Sequence, residues 1–254
     1  MKFGKVYLGL IVMMVGMVSC FSAAVASDEK PTCDMSLTVY SQYIWRGYAL
    51  SKDSIVLFPQ TTVSYKGFGF DMWADLDTDY YGNTIDNGSE LNETDLTLFY
   101  GNSIGILSYS LGWIYYDFDG GEDQEVYATF GVDVPLSPAI SIYRGIEHSA
   151  DTWYFKFALS HSFELKNSWS IDVGGWVGYY DIQDGALDGG DYSEFHDATL
   201  WAGLNIPITD WCTVTPSINY SFPLSGESED LIEAVSFGND SNFFYGGVKL
   251  AISF

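Results

Sequence analysis

Beyond residue 34 the chain alternates apolar and polar positions with period two, segment after segment, and no convincing amphipathic helix interrupts the pattern. Leu107, Tyr109, Leu111, Trp113 and Tyr115 share one face, with Ser108, Ser110 and Gly112 between them. Comparable stripes are Trp153, Phe155, Phe157, Leu159; Ile171, Val173, Gly175, Val177, Tyr179; Ala198, Leu200, Ala202, Leu204, Ile206; and Phe244, Gly246, Val248, Leu250, Ile252, Phe254. The pattern predicts twelve strands, near 35–47, 55–66, 68–80, 93–103, 105–118, 124–135, 139–148, 152–165, 168–182, 197–208, 213–224 and 242–254. Lengths of about 9 to 13 residues suit tilted strands crossing a bilayer, and an even count suits a single-chain barrel.

The connections add a second pattern. Short turns at Lys66 to Gly69, Asn102 to Gly105, Leu136 to Pro138, Lys166 to Ser168 and Thr209 to Cys212 alternate with mostly longer loops rich in Gly, Asp and Asn. Long and short ends then face opposite sides, the asymmetry of an up-and-down transmembrane β-barrel with short periplasmic turns. A soluble sandwich or closed soluble barrel has no reason to sort its loops this way. One segment fits poorly: Arg144 shares parity with Ile140, Ile142 and Ile146, and a cation facing lipid costs about 2 to 4 kcal/mol near mid-depth, so a bulge or register change is expected there.

Charge follows the same division. The chain has 34 acidic against 10 basic residues, and 25 of the acids fall in 49–54, 77–95, 117–125, 147–152, 181–197 and 225–241, where Lys52 is the one basic residue. That predicts an anionic outer rim, which either draws cations or keeps exposed loops solvated. A formal charge of −24 argues against binding nucleic acid through phosphate contacts. The 8 Trp, 19 Tyr and 17 Phe exceed ordinary usage, and Trp45, Tyr80, Tyr81, Tyr115, Tyr116, Tyr179 and Tyr180 near outer strand ends are expected to form an interfacial girdle.

Lys2 and Lys5, the apolar run Val6 to Val18 and the small residues Ala24-Val25-Ala26 have the layout of a secretory signal peptide, so residues 1–26 are expected to be removed and 27–254 to form the barrel. Lipoprotein processing at Cys20 is the alternative. The mature chain would carry −26 and keep Cys33 and Cys212. One precedes the first strand and the other sits in a short turn, so both lie on the periplasmic side, where a disulfide between them is expected.

Catalytic motifs fail on context. Gly101-Asn102-Ser103-Ile104-Gly105 has the spacing of a nucleophile elbow, which needs a strand turning into a helix, but here a second strand follows. An outer-membrane phospholipase, also twelve-stranded, would need His and Ser two apart; His148, His161 and His196 are followed at that spacing by Ala150, Phe163 and Ala198. Asp75, Asp77 and Asp79 have calcium-loop spacing, but Tyr80 replaces the turn glycine and Asp86 the closing Glu. Asp117, Asp119, Glu122 and Asp123 are weak calcium candidates; no other metal and no cofactor is expected.

Ser41-Gln42-Tyr43-Ile44-Trp45-Arg46-Gly47, followed by Ser51, resembles the N-terminal signature of the TorF-like porin family of outer-membrane β-barrel proteins, whose pattern reads Ser-x-Tyr-x-(Phe/Trp)-Arg-Gly with a Ser four residues after the Gly. The resemblance covers the whole mature chain in weaker form and implies a barrel of possible pore function with no catalytic residues. By parity, Gln42 and Arg46 point inward if Tyr43 and Trp45 face lipid, and Gly47 begins the first outer turn. Arg46 would then pair with lumen acids such as Asp71 and Asp75, which share a face with Trp73, either bracing the wall or setting the pore field. Lys156, Trp176 and Trp201 complete the expected lumen set.

The resulting expectation is a barrel in the outer membrane of a Gram-negative bacterium, with both termini periplasmic, passing small solutes or cations passively through an acidic mouth. Its partners would be outer-membrane lipid, those solutes, and the assembly machinery that reads a last strand ending in Phe254. A non-conducting structural or surface-interaction barrel, filled by Trp73, Trp176 and Trp201, is the alternative, with a lipid-facing enzyme a distant third.

Overall fold

The structure is a computed structural model describing residues 30–79, 90–118, 121–183 and 191–254. The expected signal segment, Cys20, Tyr80, Tyr81 and Asp119 lie outside these residues. Twelve strands close into one antiparallel barrel: β1 (Thr32–Tyr40), β4 (Val56–Tyr65), β5 (Phe68–Asp77), β6 (Glu90–Ile104), β7 (Leu107–Phe118), β8 (Gly121–Val132), β9 (Ala139–Gly145), β10 (Thr152–Glu164), β11 (Ser170–Ile182), β12 (Tyr192–Thr209), β13 (Cys212–Pro223) and β14 (Phe243–Ser253). Each pairs with its neighbour in sequence, and β1 meets β14 to leave no edge, as a sheet in lipid requires. A two-residue-strand hairpin, β2 (Ile44–Trp45) and β3 (Tyr48–Ala49), and one helix, α1 (Gly226–Val235), stand apart from the wall.

Alternation sets the two faces. Leu37, Met72, Leu98, Leu111, Phe157, Leu200 and Val248 point outward and are exposed, while Tyr40, Asp75, Thr97, Ile114, Lys156, Thr199 and Lys249 point inward and are buried. A continuous apolar outer surface on a closed sheet is the surface a bilayer covers. Lys66 and Gly67 join β4 to β5 in a two-residue turn with φ of 51° and 86°, both left-handed, the geometry that matches strand twist. Both chain ends of the barrel meet at this short-turn end, where Cys33 and Phe254 exchange backbone hydrogen bonds.

Several expectations need correction. The first strand stops at Tyr40 rather than residue 47, because the chain turns into the barrel there. Consequently Trp45 belongs to no girdle, and Tyr116 and Tyr180 also point inward and are buried, since each has opposite parity to its outward neighbour, Tyr115 or Tyr179. The acidic segment 117–125 is mostly strand: Asp117 faces Glu122 across the β7–β8 pair. Arg144 is outward as its parity demands, but β9 pairs with β8 and β10 without a register shift. It sits near the long-loop end, its guanidinium 4.9 Å from the Trp153 ring centre and 3.9 Å from Asp151, so it reaches the polar boundary.

The expected disulfide does not form. Cys33 and Cys212 are free thiols. They lie at the same end, but β14 runs between their strands: Cys33 bonds to Phe254 while Cys212 pairs with Ile252. Two strand spacings amount to roughly 10 Å, beyond the 7 Å or so that a disulfide spans between Cα atoms.

Helix α1 was not expected from the alternation. Ser225 caps it by accepting from the Ser228 backbone N–H at 3.0 Å, and Ser228 Oγ returns the bond from Ser225 N–H at 2.9 Å. Glu227 and Glu229 in the first turn favour its dipole. The signal was present in Ser225, the acids after it and Leu231-Ile232, but the segment is too short to dominate a periodicity scan.

Candidate functional site

After Tyr40 the chain enters the lumen and stays there until β4. Tyr43 N–H donates to Ser51 Oγ at 2.8 Å and Leu50 N–H to Tyr43 C=O at 2.9 Å, closing the base of the β2–β3 hairpin. At its tip Trp45 pairs with Tyr48 across Arg46 and Gly47, whose φ values of 46° and 85° give another two-residue left-handed turn. A Cβ on Gly47 would lie 3.0 Å from both Asp197 Cβ and Ile232 Cδ1, so glycine is needed for space as well as conformation. The segment resembling the family signature is therefore an inward hairpin rather than strand end and outer turn.

Arg46 crosses to the far wall. Its Nη1 donates to Glu125 Oε1 at 2.9 Å and its Nη2 to Glu125 Oε2 at 2.6 Å, a two-toothed pair with 6% and 4% of the side chains exposed. Tyr116 donates to the same carboxylate at 2.8 Å. The guanidinium carbon lies 4.4 Å from the Trp45 ring centre, 4.5 Å from Tyr154, 5.0 Å from Tyr143 and 5.7 Å from Tyr180. Aromatic faces and a bidentate carboxylate together replace the water lost on burial. The expected partners Asp71 and Asp75 do not meet it: Asp71 takes bonds from Gln60 and Thr62.

Beside this pair lies a second charged group. Asp197 accepts from Tyr154 Oη at 2.8 Å and Trp176 Nε1 at 3.3 Å, and Lys156 Nζ stands 4.6 Å from the Trp176 ring centre. A bulge aims it: Val177 pairs with Ala198 and Tyr179 with Phe195, leaving His196 and Asp197 opposite Gly178 alone. Both then turn inward and are wholly buried. A Cβ at Gly178 would come within 2.2 Å of Asp197 Oδ1. Arg46, Gly47, Tyr154, Lys156, Trp176 and Tyr245 line a narrow cleft, part of it open to solvent.

The other lumen residues are accounted for separately. Trp73 stacks on Phe58 with ring centres 5.0 Å apart and adjoins Tyr43. Trp201 lies against Gly174, on the lumen face. Gln42 Nε2 reaches Ser51 C=O at 3.5 Å at the hairpin base. Among the calcium candidates, Asp123 accepts from the Gln124 and Ser149 backbones and Glu122 from Tyr115, so both already serve local structure. Ser103 pairs with Ser108 in a plain β-hairpin.

The hairpin is held from outside too. Ala49 N–H donates to Ser236 Oγ at 3.0 Å and Phe237 N–H to Ala49 C=O at 2.9 Å, while Ile232 of α1 is fully buried against it. Tyr40, Tyr43, Ile44, Tyr48, Phe58 and Ile232 belong to one buried cluster at the long-loop half. Towards the short turns the inner wall carries Thr97, Ser110, Thr129, Ser141, Asp172, Thr215 and Ser217, interrupted by the rings of Phe99 and Trp201.

No protein-family model matches the chain, and no curated protein matches it. Among solved structures it is similar to a KdgM porin, with a TM-score of 0.52 and 10% identity over 88% of this chain and 99% of that one. A NanC porin gives a TM-score of 0.51 and 9% identity over 87% of this chain and 98% of that one. At such identity the likeness is one of fold: a porin-type barrel spanning nearly the whole of both relatives.

Proposed function

We propose that the protein is an outer-membrane porin whose passage is throttled by residues 41–54, with both termini periplasmic and the long acidic loops outside. The observation that carries this reading is the hairpin crossing the lumen to seat Arg46 on Glu125 above a polar lower wall. A wall of hydroxyls and carboxylates suits water, and an inward segment anchored by one ion pair sets the bore. The excess of acids favours small cations over anions, and the signature at residues 41–51 supports kinship with the TorF-like porins. Signal removal before Ser27 and delivery to the outer-membrane assembly machinery through the strand ending at Phe254 belong to the same reading.

The aromatic cluster around the hairpin favours one rival, a filled barrel with a structural or surface role. Planar-bilayer recordings under a salt gradient separate them, comparing the wild type with a variant in which 43–50 are replaced by a short Gly-Ser linker. Small cation-preferring steps that enlarge when the hairpin is shortened support the throttled porin. Openings without cation preference would keep the pore and reject the charge argument. Silence from both folded proteins would leave the filled barrel.

A further inference from the structure

Five consecutive strands each contribute one residue to the seat that Arg46 occupies. Tyr116 of β7, Glu125 of β8, Tyr143 of β9, Tyr154 of β10 and Tyr180 of β11 all point inward and are buried. They present a carboxylate edge that takes two parallel N–H bonds and three ring faces at 4.5 Å, 5.0 Å and 5.7 Å from the guanidinium carbon. A flat, delocalised cation with forked donors matches this seat in charge and in shape, whereas a compact ammonium matches it in charge alone.

The wall holds the seat together without the hairpin. Tyr116 donates to Glu125 at 2.8 Å and Tyr154 to Asp197 at 2.8 Å, while the Tyr154 ring meets Tyr180 edge-on at 5.5 Å and lies 6.2 Å from Tyr143. None of these four contacts involves residues 41–54. A seat braced in this way keeps its form when its occupant leaves, and a preformed site binds a replacement at little ordering cost.

Arg46 is a strained occupant. Its φ of 46° is left-handed, a conformation that costs a side chain free energy and that Asn, Asp or Gly usually fills at this position of a two-residue turn. The hairpin also has other anchors, in the Tyr43–Ser51 and Ala49–Ser236 hydrogen bonds, so the Arg46 side chain can leave while the base stays. The cleft beside Arg46, Tyr143 and Tyr154 is partly open to solvent and gives a small molecule a way in. An excess of 34 acids over 10 basic residues raises the local concentration of cations.

We propose that the Glu125 seat is a binding site for a small organic cation with an unhindered guanidinium group, and that Arg46 fills it from within the chain until such a solute displaces it. The proposal rests on the porin reading only in taking that solute as one the barrel passes; binding itself does not require conduction. Tethered Arg46 competes at an effective concentration on the order of millimolar, so the solute binds weakly to the wild type and more tightly once Arg46 is gone.

Ethylguanidinium chloride is the probe, titrated calorimetrically into the folded barrel in detergent at constant ionic strength. Arg46→Ala should bind it at least tenfold more tightly than the wild type, and the probe should restore Tm lost with Arg46. Tetramethylammonium, a cation without hydrogen-bond donors, should bind Arg46→Ala at least tenfold more weakly than ethylguanidinium. Adding Glu125→Gln to Arg46→Ala removes both charges at once and should abolish binding. If Arg46→Ala does not fold, Arg46→Lys keeps a cation on the hairpin without the two-toothed pair and should bind the probe more tightly than the wild type. No tightening in either variant, equal affinity for tetramethylammonium, or binding that survives the loss of Glu125 would overturn the proposal. Bilayer current from the same proteins tests the porin reading on its own: binding without conductance would sink that reading and leave the site standing, and conductance without binding would do the reverse.

Discussion

Arg46 and Glu125, 79 residues apart in sequence, join a hairpin tip to the opposite wall of the barrel through two parallel hydrogen bonds. The pair is buried, so its worth lies less in attraction than in what either partner would suffer alone. Glu125→Gln should leave the guanidinium buried without its counter-charge, at a cost of about 3 to 5 kcal/mol. The hairpin then detaches more easily. Limited trypsin digestion with mass spectrometry should show cleavage after Arg46 appearing at least tenfold faster than in the wild type, and equal rates would mean the pair does not hold the hairpin.

Gly47 is constrained twice, by its φ of 85° and by the 3.0 Å approach of Asp197 and Ile232 to the space a Cβ would fill. Gly47→Ala should destabilise the hairpin by roughly 1 to 2 kcal/mol from conformation, with a further cost from the contact. Ile232→Ala in the same chain should relieve the contact on one side but not the backbone term. A partial recovery of Tm in the double variant would confirm that split; full recovery would place the whole effect in packing.

Gly178 leaves the room that Asp197 and Tyr154 occupy. A methyl group there would meet Asp197 Oδ1 at 2.2 Å and Tyr154 Oη at 2.4 Å, so Gly178→Ala should displace the carboxylate from its tyrosine and tryptophan donors. A loss of about 1 to 3 kcal/mol is expected from the buried groups left unpaired. Denaturant unfolding followed by Trp fluorescence would read both the stability loss and the altered surroundings of Trp176. An unchanged midpoint would show that the bulge can shift without cost.

The wall was legible because each strand presents one face to lipid and one to the lumen, so period two survives in the sequence; Leu111 and Ser110 announce their sides by composition alone. The hairpin was not. Tyr43-Ile44-Trp45 continues the alternation of β1, and only the left-handed pair Arg46-Gly47 marks a turn, whose direction depends on Glu125 and Ile232 far along the chain. The bulges at Asn92 and at His196-Asp197 were equally hidden, since one extra residue leaves no compositional trace. Asp95, Glu125 and Asp197 read as rim charges because β6, β8 and β12 begin earlier, inside the acidic segments, although they and Asp77 are buried in the lumen.

Arg144 offers a test of where the polar boundary lies. It points outward, but Trp153 and Asp151 meet it near the long-loop end of β9 and β10. Its head is half exposed, so Arg144→Ala should cost no more than about 1 kcal/mol, against roughly 2 to 4 kcal/mol saved if the cation had been at mid-bilayer. Folding equilibria in lipid vesicles would distinguish the two. A clear gain in stability would place β9 deeper in the membrane than its contacts imply.

Cys33 and Cys212 share the short-turn end and the outward face, which makes them look like partners until the strand order is considered. With β14 hydrogen-bonded to both strands, bringing the sulfurs together would require removing that strand from the ladder, and the cost of breaking a closed barrel exceeds the few kcal/mol a disulfide contributes. Both thiols should therefore react with maleimide in the folded, unreduced protein once detergent gives access to the outer face, and the electrophoretic mobility should be the same with and without reductant. Cys212→Ser should leave the Tm within about 1 °C of wild type, since a surface position of this kind carries little energy. A reductant-sensitive band in the wild type that vanishes in Cys212→Ser would mean that the β1–β14–β13 order differs at this end of the barrel.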